Sequence, residues 1–356
     1  MKHYDFTPDY MNVVLAARNE PAPRLPLYEH IVGGRVMADI LGRDPYPRMA
    51  QTDAASREAG FADYWEFWRT MGYDTVSYEC CITAILPGGG ALGAHADPVI
   101  KDRADFESYP WDKLEDMYFE KFGECFRTLE KTCPAGMKAV GGVGNGVFEC
   151  VQDLVGFMEL CLLSQDDPAL YAELFRQMGD LHARIWRRFL RDYSGAYCVL
   201  RFGDDLGYNA GTLLPPNDVR THILPQYRRI TDLVHADGRP FLLHSCGNLL
   251  SIFDDVIDIA NIDAKHSNED LIAHFSVWAE RFGDRIGNFG GIDTDVICRK
   301  PAEYIRNYVL DCLGKVSGRG GIAFGSGNSI PDYVPTEGYL AMVETVRDWR
   351  GDRALD

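Results

Sequence analysis

From about residue 196 onward, short apolar runs alternate with amphipathic stretches. AYCVLRFGDD is followed, over roughly 216 to 236, by Val219, Ile223, Leu224, Tyr227, Ile230 and Leu233 at helical spacing. PFLLHSC precedes LLSIFDDVIDIA, and NIDAKHS precedes NEDLIAHFSVWAERF. RIGNFGGID precedes a helix after Pro301, and GIAFGSG precedes the last helix, after Pro335. Strand and helix units repeated in this order predict a parallel sheet. Three further strand-like runs lie upstream, RLPLYEH (24–30), YDTVSYEC (73–80) and MKAVGGVG (137–144). The helical stretches between them are longer and include ADYWEFWRTMG and a double-length segment from 149 to 192. Eight strands alternating with helices predict an α/β fold, a (β/α)8 TIM barrel with N-terminal and early-loop additions. A single domain is expected, with an extension at 1–23 and the barrel at 24–350. The alternative is an open doubly wound sheet, but no glycine-rich nucleotide turn joins an early strand to a helix. PGGGALG (87–93) contains G-x-G-x-x-G, yet Pro87 opens it and AHADPVI, which reads as extended chain, follows. A hairpin or flexible loop is expected there, not a phosphate cradle.

In such barrels catalytic groups come from the carboxyl ends of different strands. Those ends carry Glu29 and His30, Glu79 and Cys80, Asn145, Asp204 and Asp205, His244 and Cys246, His266, Asp293, and Ser326 with Asn328 and Ser329. A closed barrel would bring them to one mouth. His244 and Cys246 are two apart at the end of an apolar strand, so they point the same way and share either a ligand or a core. Gly247 and Asn248 then open a loop at the rim, and an imidazole with a thiolate suits Zn2+. Asp204 and Asp205 read as caps or turn formers, or as general base, metal ligand or anchor for a developing cation. Glu79 and His30 read equally as interior ion-pair partners or as site residues, and His266 as part of a helix N-cap region or as a catalytic group.

Composition narrows the partners. The 356 residues are 46% hydrophobic and 25% charged, with a formal net charge of -17 and no run of lysine or arginine. That balance disfavours nucleic acid and anionic membrane surfaces. No stretch reaches the ~20 apolar residues of a membrane helix, and the start, MKHYDFTPDY, lacks a basic-then-apolar pattern, so a cytoplasmic protein is expected. Ten cysteines without a C-x-x-C pair are expected to be reduced thiols, many of them small core residues.

HSCGN taken with RFGDDLG resembles the uroporphyrinogen decarboxylase superfamily, which contains porphyrinogen decarboxylases and methyltransferases that work with corrinoid proteins. The resemblance extends over almost the whole chain. It is strongest from about Gly203 onward, in GDDLGYNAGTLLPPNDVRTHILPQYRRITDLVHADGRPFLLHSCGNL, in FGGIDTD and in FGSGNSIPDYVP. It implies a TIM barrel, in agreement with the strand count. True uroporphyrinogen decarboxylases carry an R-x-A-G-R signature whose arginines hold the substrate's carboxylates. Here that region reads AARNEPAPRLPLYEH, and Arg24, Arg35, Arg201 and Arg220 are scattered along the chain. In the corrinoid-dependent methyltransferases an H-x-C motif binds zinc together with a second cysteine near the last strand. His244 and Cys246 match the first part, whereas Ser326, a poor zinc ligand, stands at the later position. The third donor is then expected from Glu79, Asp204, Asp205 or His266, with Cys298 ranked lower.

The resemblance implies methyl transfer between a small methylated compound, a methoxyaromatic or a methylamine, and a corrinoid carried by a partner protein. Zinc at His244 and Cys246 would assist. Asp204, Asp205, Glu79 and His266 are the catalytic candidates; His30, Asn145, Asp293, Ser326 and Asn328 are the substrate-binding ones. No D-x-H-x-x-G segment for B12 occurs in the chain. One alternative is metal-free decarboxylation of a porphyrinogen or related carboxylated ring. The other is a barrel that binds a tetrapyrrole or small ligand without turnover. A homodimer is compatible with the sequence.

Overall fold

The computed structural model describes residues 1–355. Seven of the eight apolar runs pair into one parallel sheet: β1 (Thr75–Cys81), β2 (Lys138–Gly144), β3 (Tyr197–Gly203), β4 (Phe241–His244), β5 (Ala264–His266), β6 (Gly287–Ile292) and β7 (Ile322–Ser326). Each is hydrogen-bonded to the next in chain order. The run at 24–30 takes the eighth position without forming a ladder. Leu27 bridges Phe324 in parallel, Tyr28 N donates to Phe324 O at 2.9 Å, and Phe324 N donates to Pro26 O at 2.9 Å. On its other side, Ser77 Oγ of β1 donates to Glu29 O. Pro23 and Pro26 lack the N–H groups that a continuous ladder needs. The result is the α/β barrel of the TIM type that the strand count predicts.

Alternation within the strands sorts the core into two clusters. Leu242 of β4 joins an inner cluster with Tyr28, Val140, Val199, Ala264, Phe289 and Ala323. Phe241 and Leu243 pack in the outer cluster, between sheet and helices. Helix Met11–Ala17, inside the N-terminal extension, adds Val13, Val14, Ala16 and Ala17 to the inner cluster. It stoppers the barrel at the amino ends of the strands, so closely that a Cβ at Gly287 would lie 2.3 Å from Ala16 O.

The helices differ from expectation where proline or glycine intervenes. The stretch at 216–236 divides into Pro216–Asp218, a π-helical turn Val219–Ile223, and Leu224–Ala236. Pro225 removes a backbone donor near the start of the last piece, and the widened turn precedes it. The segment 149–192 is three helices, Val147–Val155, Phe157–Asp166 and Pro168–Asp192. Gly156, at φ 80°, separates the first two, and Asp167 caps the third ahead of Pro168. Over 268–282 only Phe275–Phe282 is helical. PGGGALG is a turn with a short 3-10 helix, Ala91–Gly93, rather than a hairpin, and the next α-helix begins only at Arg103. Among the described residues no helix is long and apolar enough to cross a membrane.

Candidate metal centre

Three inward positions near the carboxyl rim, His244 on β4, His266 on β5 and His30 at the end of the run at 24–30, come together across the barrel. Each offers a ring nitrogen within 4.8 Å of the others. The rings of His30 and His244 stack with centroids 3.8 Å apart, and His244 Nδ1 lies 2.7 Å from His266 Nδ1. All three are buried. Burial first, then His266 and the positive neighbours Arg201 and Lys265, hold His244 far below the ordinary histidine range. Burial likewise lowers His30, and takes His266 down to about 3. The cluster is therefore neutral at physiological pH.

Cys246 Sγ lies 3.4 Å from His244 Nε2. The chain turns immediately afterwards at Gly247, whose φ is 88°. A Cβ there would meet Gly207 C at 2.0 Å, so only glycine lets the rim loop pass beneath the small hairpin of Gly207–Tyr208 and Gly211–Thr212. Asp205 Oδ1 accepts from Cys246 N at 2.8 Å and lies 3.9 Å from His244 Nε2. The nitrogen, sulfur and oxygen of these three residues all fall within 4.8 Å of one another. The Asp205 side chain is 44% exposed, which leaves the trio open on one side. Two donors also face the sulfur, Asn328 Nδ2 at 3.3 Å and Ser267 Oγ at 3.6 Å. Burial and then the Asp205 charge push the Cys246 thiol up to about 12, so a thiolate there requires a cation beside it. Three mixed donors with an approachable side fit a zinc site of the catalytic type, which keeps one position for water or substrate.

The remaining residues separate by what they touch. Asp204 is fully buried and faces away from the trio. Its carboxylate accepts from Phe148 N at 2.9 Å, from Glu149 N at 2.8 Å and from Tyr227 Oη, which caps helix Val147–Val155. Burial raises it to about 7 against those hydrogen bonds. Glu79 holds Arg201, which is inaccessible to solvent, at 2.7 Å; Arg201 also donates to Tyr28 Oη at 2.6 Å. Asn145, in a left-handed conformation at φ 60°, accepts from Thr83 Oγ1 at 2.8 Å and donates to Glu149 Oε2 at 2.8 Å. Asp293 accepts from Asp295 N and Asp270 N, both at 2.7 Å, and thereby caps helix Thr294–Arg299. It lines a surface cavity of about 470 Å³ with Asn268, Glu269 and Asn328.

Ser326 does not face the trio. Its N–H donates to Glu29 Oε1 at 2.9 Å and its hydroxyl to Glu29 Oε2, on the outer side of β7. The residue of that segment that reaches Cys246 is Asn328. Cys80 also packs outward in the outer cluster, while Glu79 turns in to Arg201. Sequence reasoning missed Glu149. Its Oε1 accepts from Asp205 N at 3.3 Å, and burial followed by the charges of Asp204 and Asp205 raises its pKa strongly. No strand-end pattern points to it, because it lies in the first turn of a helix.

A sequence model of the family described as uroporphyrinogen decarboxylase (URO-D) matches residues 63–349, and the chain belongs to that family. Among solved structures, a methyltransferase from Methanosarcina mazei has a TM-score of 0.74 at 17% identity, covering 97% of this chain and 99% of that one. That likeness is one of fold. PbGH5A, a glycoside hydrolase family 5 enzyme from Prevotella bryantii, has a TM-score of 0.46 at 11% identity, with 96% and 99% covered. A D-allulose 3-epimerase from Methylomonas sp. has 0.38 at 12%, with 92% and 99% covered. No curated protein matches the chain.

Proposed function

We propose that this chain is a methyltransferase that moves a methyl group between a small methylated compound, of the methoxyaromatic or methylamine class, and a corrinoid carried by a separate protein. The observation that carries this reading is the trio of His244 Nε2, Cys246 Sγ and Asp205 Oδ1 at the barrel mouth. Asp205 takes the place of the second cysteine as third donor. A zinc ion bound by these residues would supply Lewis acidity toward a departing oxygen or nitrogen, or would keep an acceptor thiol ionised. Asn328 and Ser267 hold the sulfur by hydrogen bonds. Glu149 Oε1 accepts the Asp205 N–H and so fixes the backbone that presents the Asp205 carboxylate. Asn145 orients that carboxyl from the other oxygen. The cobalt that carries the methyl belongs to the partner, which has to approach over the rim.

Charge supports the choice of substrate class. Asp205, Glu269 and Asp293 surround the site and its neighbouring cavity. Arg201, which points into the barrel, is engaged by Glu79 and Tyr28. Arg24, Arg35 and Arg220 are paired with Asp74, Asp39 and Asp255. A neutral or cationic methyl compound is compatible with these surroundings, and a polycarboxylated porphyrinogen is not. The test is incubation of the zinc-loaded protein with a reduced corrinoid protein and a panel of methoxyaromatics and methylamines, following the cobalt absorption. Methylation of cobalt, lost in His244→Ala/Cys246→Ala, is the expected result. Carbon dioxide release from a porphyrinogen, with no cobalt change for any donor, would overturn the proposal.

A further inference from the structure

The 2.7 Å contact between His244 Nδ1 and His266 Nδ1 contains one hydrogen, and its owner is decided elsewhere. We propose that His266 is a positioning residue that sets the tautomer of His244, with the main-chain carbonyl of Ser326 as the fixed end of the chain. The use of this device rests on the metal reading above; its geometry does not.

A carbonyl oxygen only accepts. His266 Nε2 lies 3.2 Å from Ser326 O and so carries that ring's N–H. A neutral imidazole has one N–H, which leaves His266 Nδ1 as a lone pair. The hydrogen in the 2.7 Å contact then belongs to His244 Nδ1. His244 Nε2 is consequently the unprotonated nitrogen, and it is the one that lies 3.4 Å from Cys246 Sγ and 3.9 Å from Asp205 Oδ1. The opposite tautomer of His244 would set two lone pairs against each other at the shortest contact. It would also aim a proton at the donor trio.

The surroundings hold each ring and the carbonyl in place. Ser326 is tied by its N–H and its hydroxyl to the buried carboxyl of Glu29, and the following Gly327 N donates to Ile292 O at 2.6 Å. The Tyr28 ring meets His266 edge-on, with centroids 5.2 Å apart, and its hydroxyl is fixed by Arg201. His30 lies flat on His244, at 10° between the ring planes. Where the resemblance places a cysteine ligand, this chain therefore has a residue whose backbone aims the ligand histidine. A second partner that orients a metal-ligating imidazole typically changes metal affinity by about 10- to 100-fold.

The test is nitrogen NMR of the metal-free protein labelled with 15N-histidine, assigned with His244→Gln and His266→Gln variants. His244 is expected protonated at Nδ1 and bare at Nε2, with His266 reversed. His244 protonated at Nε2 would overturn the proposal. A second arm measures zinc affinity by competition with a chromophoric chelator. His266→Phe is expected to weaken zinc by about tenfold or more, and His266→Asn, whose side-chain oxygen falls near the place of Nδ1, to recover most of that. Unchanged affinity in His266→Phe would count against a positioning role. Failure of the wild-type protein to take up zinc would remove the metal reading, while the NMR result would still decide the tautomer.

Discussion

Asp204 and Asp205 are neighbours in sequence with different partners, Asp204 at a helix N-terminus and Asp205 at the proposed metal site, and substituting each in turn separates them. Asp204→Ala leaves three donors, Phe148 N, Glu149 N and Tyr227 Oη, without an acceptor. An unsatisfied buried donor costs about 1–3 kcal/mol. Against a sum of at least about 3 kcal/mol stands relief from burying a carboxyl beside Glu149, so a net loss of about 2–4 kcal/mol is expected at pH 7. Asp205→Ala removes one hydrogen bond from a half-exposed side chain, and is expected to cost less than about 1 kcal/mol. Urea unfolding followed by tryptophan fluorescence measures both. Zinc affinity should order the variants the other way, with Asp205→Ala the more impaired. An Asp204→Ala protein as stable as the wild type, or an Asp205→Ala protein less stable than Asp204→Ala, would refute this division of labour.

Substitutions at three other places, His182, the Glu79–Arg201 pair and the Asn328/Ser326 segment, have separate expected outcomes. Neither ring nitrogen of the buried His182 has a hydrogen-bond partner, and burial takes its pKa down to about 3. The unfolded chain takes up that proton first, so stability is lost as pH falls below the unfolded value of about 6.5, at about 1.4 kcal/mol per unit. His182→Leu should shrink the stability difference between pH 7.5 and pH 5 by about 2 kcal/mol in urea melts, and an unaltered difference would contradict this. Glu79→Gln strips the inaccessible Arg201 of its counter-charge and should destabilise by about 3–5 kcal/mol, whereas Glu79→Leu with Arg201→Met should cost less, as judged by the same melts. Asn328→Cys should tighten zinc binding in chelator competition, because Asn328 reaches the Cys246 sulfur; Ser326→Cys should not, because that side chain faces Glu29.

The barrel was legible because eight apolar runs alternate with helical stretches along the chain. The two-residue period on β4 also places Leu242 and His244 on one face, with Cys246 beyond. The same period counted from Ala323 puts Ser326 on the outer side of β7, a reading that a family pattern alone obscures. The roles of Asp204 and Asp205 were not legible, since adjacent acids after a strand carry no mark of which one meets a helix N-terminus. Glu149 gave no signal, being 55 positions before Asp204 and brought to the mouth only when helix Val147–Val155 docks on that carboxylate. The run at 24–30 reads in the sequence as a full strand, but Pro23 and Pro26, which lack N–H donors, limit its pairing to the Leu27 bridge.

Elemental analysis after zinc loading and gel filtration decides whether His244, Cys246 and Asp205 together hold a metal ion. About one zinc per chain is expected in the wild-type protein and almost none in His244→Ala/Cys246→Ala, with both proteins folded by circular dichroism. Equal zinc in the two, or none in either, would contradict the metal reading.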